Sequence, residues 1–162
     1  MNTAAPIRVL VADDHAMVRQ GIVGILKAHP EIEVVAEASD GAEATRKALE
    51  TRPDVVVLDL GMPRLNGFEA ARRIHEALPD TKILILTMQE EEEYVIRSVR
   101  AGASGYLVKD GAASDLLAGI RAVNGGRRYF AASARRSATA RDLRPEGRTG
   151  ERLGRMRPRP LA

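Results

Sequence analysis

Five short apolar runs punctuate the chain, and stretches with helical spacing separate them. IRVLVA (7–12) and VVVLDL (55–60) are rich in β-branched residues and almost wholly apolar, as expected of strands covered on both faces. EVVAEA (33–38), KILILT (82–87) and GYLVK (105–109) complete the set. Val18, Ile22 and Ile25 predict the inner face of a helix from about His15 to His29, stopped by Pro30. Asp40 with Glu43 three residues on resembles a capping box, opening a helix that ends near Arg52 and Pro53. Met62-Pro63 and Asn66-Gly67 bracket a loop, after which Ala71, Ile74 and Leu78 mark a helix ending at Pro79. A further helix runs from about Glu90 to Ala101 with Gly102 as its C-cap. Leu116, Ile120 and Val123 give the last helix its inner face, and that helix is expected to extend as far as the Arg135 region.

Strand and helix in strict alternation predict an α/β fold with a parallel five-stranded sheet and helices on both faces, because each parallel crossover needs a helix. Such sheets bind ligands beyond the carboxyl ends of their strands, where strand order reverses. Four runs deliver reactive side chains to those ends: Asp13 and Asp14, Asp59, Thr87 and Lys109. Aspartate can attack a phosphoryl group to form an acyl phosphate. The charge on the transferring oxygens then needs a cation, commonly Mg2+ held by a few carboxylates, with a basic side chain beside it. Each residue taken alone has a plainer reading: Asp13-Asp14 as a helix N-cap, Thr87 as a cap, Lys109 as a surface charge, Tyr106 as a core aromatic. Their coincidence at neighbouring strand tips favours one shared site. His15 reads as a first-turn surface residue, and Glu90 to Glu93 as solvated acids at a helix start.

Charge divides the chain in two. Residues 127–162 hold eleven arginines against Asp142, Glu146 and Glu151, a net +8, so the other 126 residues carry −5 within the overall +3. The basic segment has no apolar period and reads as a largely disordered tail, leaving 1–126 as the folded domain. With 3% aromatic residues the core must be aliphatic, and the absence of cysteine excludes disulfides and thiolate metal sites. No secretory signal and no apolar run of the roughly 18 residues a membrane span needs is visible, so a cytoplasmic location is expected.

The stretches VADDHAMVRQGI, VVVLDLGMPRLNGFEA, ILTM and AGASGYLVKD resemble the receiver domain of two-component response regulators, with wording similar to the NarL/FixJ (LuxR-type) subfamily. The resemblance covers about residues 5–126 and implies a flavodoxin-like fold with strand order 2-1-3-4-5, an order borrowed from the family. It implies Asp59 as phosphoacceptor, a sensor histidine kinase as donor, and Mg2+ held directly by Asp14, mainly through water by Asp13, and by Asp59 and the carbonyl of Gly61. Lys109 would pair with the phosphoryl group, Thr87 would move to bond it, and Tyr106 would swing inward as Thr87 moves. The face of the fourth helix, fifth strand and fifth helix would report the change, commonly by dimerising. Gly61 and Gln89, each two residues past a site residue, are expected to set the phosphate's lifetime. Asp110 follows Lys109 where many receivers have proline, which leaves the isomer of that peptide bond open.

A phosphatase of the haloacid-dehalogenase type also uses Asp, Thr and Lys on such a sheet, but it needs an acid two residues past its nucleophile, and Gly61 stands there. The chain therefore reads as a switch, not a turnover enzyme. Members of this subfamily normally continue into a helix-turn-helix domain that regulates transcription, and residues 127–162 show no such pattern. A truncated or frame-shifted output domain is the expectation drawn from that. Specific DNA binding is doubtful on this reading, and weak, salt-sensitive contact of the tail with nucleic acid remains open.

Overall fold

The computed structural model describes residues 5–109 and 113–130 of the chain. Its elements run β1 (Ile7–Ala12), α1 (Ala16–Lys27), β2 (Ile32–Ala38), α2 (Gly41–Thr51), β3 (Val55–Leu58), α3 (Gly67–Ala77), β4 (Lys82–Thr87), α4 (Glu92–Arg100), β5 (Gly105–Val108), α5 (Ala113–Asn124) and β6 (Tyr129–Phe130). All strand pairs are parallel, in the order β2-β1-β3-β4-β5-β6. The strand order reverses between β1 and β3, and the space beyond their carboxyl ends is where the acidic residues lie.

Alternation along each strand divides the core in two. Val56, Leu58, Ile83, Ile85 and Tyr106 face one side with the buried residues of α2, α3 and α4. Val55, Val57, Leu84, Leu86 and Leu107 face the other, with Ile22, Val23 and Leu26 of α1 and Leu116, Ile120 and Val123 of α5. Strands sandwiched in this way must be apolar throughout, which is why β3 is buried at every position.

Local signals set the helix ends. Asp40 accepts from the Glu43 N–H at 2.7 Å, and Glu43 returns to the Ser39 N–H at 2.8 Å. Asn66, expected only to bracket a loop, caps α3 through the Glu69 N–H at 3.0 Å. Gly102, at φ 110°, closes α4 with paired bonds from Gly102 N–H to the Val99 carbonyl and Ala103 N–H to the Ser98 carbonyl. Gly126, at φ 88°, closes α5 in the same way, with Arg127 N–H reaching the Ala122 carbonyl.

Three expectations are corrected. The sheet has a sixth strand: after Gly126 the chain turns back, and Tyr129 and Phe130 pair with Gly105 and Tyr106. Phe130 is buried with Tyr106 in one core face, so the folded part extends past residue 126. The last helix stops at Asn124 instead of running toward Arg135, because the two glycines terminate it. The inner face of α1 is Ile22, Val23 and Leu26; Val18 is 39% exposed. Arg19 is in phase with that inner face and turns inward to donate to the Asp13 carbonyl at 2.7 Å, whereas Val18 lies at the edge of the face. The Lys109–Asp110 peptide and the basic segment from residue 131 on lie outside the described residues.

Candidate phosphoacceptor site

Backbone ladders extend one residue past the strands and fix the site. Asp13 N–H donates to the Ala38 carbonyl at 3.0 Å, Asp59 N–H to Ala12 at 3.0 Å, and Lys109 N–H to Thr87 at 2.7 Å. The four strand tips are therefore held by the sheet itself and not by loose loops. The loop after β3 is clamped as well. Gly41 N–H reaches the Pro63 carbonyl, Arg64 pairs with buried Asp40, and a Cβ on Gly41 would lie 1.6 Å from the Leu65 oxygen. Gly67 lets α3 approach the acidic residue closely, since a Cβ there would be 2.4 Å from the Asp59 carbonyl.

These backbones bring together the residues singled out from the sequence. Lys109 Nζ lies 2.7 Å from Asp13 Oδ2 and 3.3 Å from Asp59 Oδ2, with all three side chains largely buried. Thr87, Gln89 and Gly61 line the same cleft as Asp59 and Lys109, a cavity of about 340 Å3. The Thr87 hydroxyl accepts a long contact from the Gln89 N–H at 3.4 Å. Tyr106 is fully buried, and its hydroxyl donates to the Gln89 carbonyl at 2.7 Å. The tyrosine ring is therefore already turned inward. Three of the plainer readings fail on geometry: α1 is capped at His15 with no side-chain bond, α4 at Glu91, and Lys109 is no surface charge; the fourth holds, since Tyr106 is a core aromatic.

The electrostatics follow from this crowding. Burial raises the Asp59 pKa above the ordinary carboxylate value; Lys109 pulls it down, Asp13 pushes it up, and a hydrogen bond from the Gly61 backbone lowers it. For Lys109, burial works against the ammonium, but Asp13 and Asp59 outweigh it and raise its pKa. Burial likewise raises the Tyr106 phenol, keeping it a hydrogen-bond donor.

Ligand atoms of Asp13, Asp14, His15 and Asp59 all lie within 4.8 Å of one another. Asp13 Oδ2 and Asp14 Oδ1 are buried, and the close partners they have are basic groups, Lys109 Nζ at 2.7 Å and His15 Nδ1 at 3.1 Å. Three carboxylates facing one small volume suit a hard divalent cation such as Mg2+. His15 was expected at the surface, and its side chain is 68% exposed, yet it also touches both acids. Arg19, which holds the Asp13 carbonyl and pairs with Glu37 at 3.2 Å, was not foreseen. Its one sequence signal is its place on the inner face of α1, where a charge is out of pattern.

Fold and site together define a doubly wound α/β protein with an acidic cleft at the carboxyl edge of its sheet. The chain belongs to the response regulator receiver domain family, which residues 9–121 match. It is 47% identical over 124 residues to the oxygen regulatory protein NreC of Staphylococcus epidermidis, an alignment covering 76% of this chain and 57% of that one. The chain thus spans little more than half the length of the curated relatives it matches. Among solved structures it resembles the LuxR-family two-component response regulator of Aurantimonas sp. SI85-9A1, with TM-score 0.79 and 37% identity, covering 82% of this chain and 95% of that one. It also resembles the isolated receiver domain of RcsB from Salmonella enterica serovar Typhimurium, solved with a phosphomimetic beryllofluoride: TM-score 0.76, 26% identity, 83% and 99% coverage. Another RcsB structure shows two dimers bound to two parallel DNAs. Among the described residues no helix is long and apolar enough to cross a membrane.

Proposed function

We propose that this chain is a phosphorylation switch in which Asp59 accepts a phosphoryl group from a sensor histidine kinase. The observation that supports it most directly is the buried Asp59 carboxylate set beside Lys109 and the buried oxygens of Asp13 and Asp14. An Asp59 oxygen attacks phosphorus, the bond from phosphorus to the donor nitrogen breaks, and the imidazole leaves with that electron pair. Asp13, Asp14, Asp59 and the Gly61 carbonyl would hold Mg2+. Bound there, the metal would offset the carboxylate charge and stabilise the oxygens of the transferring group. Lys109 follows the new charge, and Thr87 supplies a hydroxyl to it. The added charge of about −1.5 to −2 biases the neighbouring surface of α4, β5 and α5 toward a second copy of the chain. The incoming water attacks phosphorus and releases Asp59 unchanged, so no substrate is turned over.

Incubation with acetyl phosphate and Mg2+ should add the mass of one HPO3 unit to the intact protein, and a chelator such as EDTA should abolish the gain. A protein that never gains phosphorus with either acetyl phosphate or phosphoramidate would end this reading.

Gly61 and Gln89 set the lifetime of the product. A Cβ on Gly61 would meet nothing within 4 Å, so Gly61→Asn is accommodated and places an amide at the mouth of the cleft. Together with Gln89→Ala it should change the hydrolysis rate about tenfold, short of the roughly hundredfold a well-placed general base supplies. An unchanged decay of the phosphorylated mass would remove both residues from that role.

A further inference from the structure

Three residues on the wall of the acceptor cleft carry, or can carry, positive charge: His15, Lys109 and Arg97. Lys109 is committed to Asp13 and Asp59, and His15 stands against Asp13 and Asp14. Arg97 is different. Its guanidinium carbon sits 3.9 Å from the centre of the Phe68 ring, and that ring stacks on Tyr94 at 6.0 Å and 8°. Glu93, four residues earlier on α4, offers the usual helical partner, yet among the described residues Arg97 makes no ion pair. A cation without an ion pair among the described residues thus stands on the lining of the cleft.

We propose that Arg97 is a donor-binding residue, engaging the dianionic phosphate of an incoming phosphodonor before transfer to Asp59. The inference rests on the reading of Asp59 as acceptor and deepens it. Asp59 lines the cleft with Asp13 and Asp14 beside it; even with Mg2+ offsetting two of those charges, Lys109 is taken up by its two partners and no surplus cation remains to draw in a phosphate dianion. Stacking on Phe68 occupies one face of the guanidinium but leaves its in-plane N–H groups free, the edges that grip phosphate oxygens in pairs. An exposed cation–π contact is weaker than a paired guanidinium–phosphate bond, so Phe68 acts as a rest position the side chain can leave. The ring pair bridging α3 and α4 holds the arginine at the cleft without tying up its donors.

The test compares two donors of different charge on the full chain, each measured as a second-order rate of HPO3 gain by intact mass with Mg2+ present. Arg97→Gln is expected to slow transfer from dianionic acetyl phosphate about tenfold, the loss of one charged contact. Transfer from phosphoramidate, whose amine offsets part of the phosphate charge, should slow less than about threefold. Added salt should slow the wild type more than Arg97→Gln, because screening removes the same attraction. Arg97→Lys should recover part of the acetyl phosphate rate. Arg97→Gln reacting as fast as wild type with acetyl phosphate, or losing both donors equally with an unchanged salt response, would reduce Arg97 to a structural tie between α3 and α4. Failure of the acceptor reading looks different: wild type itself would gain no phosphorus from either donor.

Discussion

Asp59→Asn is expected to gain no phosphorus from acetyl phosphate and Mg2+ under conditions that fully convert the wild type. The substitution keeps shape and removes the nucleophilic oxygen while leaving Asp13, Asp14 and Lys109 in place. No neighbouring carboxylate is an equivalent substitute. Asp13 is pinned by Lys109 at one oxygen and by the His15 N–H at the other, and Asp14 lies at the more exposed rim. A variant that is still phosphorylated at the wild-type rate would move the acceptor elsewhere and dismantle the assignment of the site.

The same substitution carries an opposite signature in stability. Burial raises the folded-state pKa of Asp59 above its unfolded value, with Asp13 adding to the rise and Lys109 opposing it. A raised carboxyl pKa means that the ionised group costs stability at every pH above that value. The cost fades as pH falls through the raised pKa and is gone below the unfolded one. Without divalent metal, Asp59→Asn should therefore melt above the wild type at pH 7 and converge with it near pH 4. Mg2+ should raise the wild-type midpoint by mass action and move Asp59→Asn less. Lost chemistry with gained stability marks a residue whose charge is kept for function.

Most of this architecture can be read from the sequence because buried parallel strands have little compositional freedom. VVVL and ILIL are short, wholly apolar and partly β-branched, which favours a doubly covered strand, and Asp40 announces the helix it caps. The site was legible for a related reason: a polar residue ending such a run can only emerge at the sheet's carboxyl edge. What escaped depended on contacts between distant segments. Tyr129 and Phe130 are two residues in an arginine-rich stretch, and they become a strand because Gly105 and Gly119 leave room for them, with Gly105 allowing the Tyr129 carbonyl and Gly119 its ring. That aromatic pair after a double glycine was the available signal. The direction of Arg19 and the placing of Arg97 over Phe68 depend on helix rotation and helix–helix approach, which a one-dimensional period does not fix.

Lys109→Met should cost about 3 kcal/mol of folding stability in metal-free buffer and drop the melting temperature by roughly ten degrees, with transfer to Asp59 largely lost. Methionine fills the aliphatic path of the lysine, so the loss is that of the ammonium. Two buried carboxylates, Asp13 and Asp59, are then left facing each other without a countercharge. Without the lysine's pull the Asp59 pKa climbs further, so the deficit against wild type is largest at neutral pH and narrows as pH falls toward the unfolded carboxyl range. The lysine's own raised pKa acts at the opposite end: its contribution is full below the unfolded lysine value and fades only in alkali. Adding Asp13→Asn to the Lys109→Met background should restore most of the lost stability but none of the transfer, because it relieves the repulsion without returning the cation. Chemical denaturation of the two single variants and the double variant at pH 5 and pH 7.5 reads this directly. If the double variant is as unstable as Lys109→Met alone, the loss arises from packing, and the electrostatic account of the cleft fails.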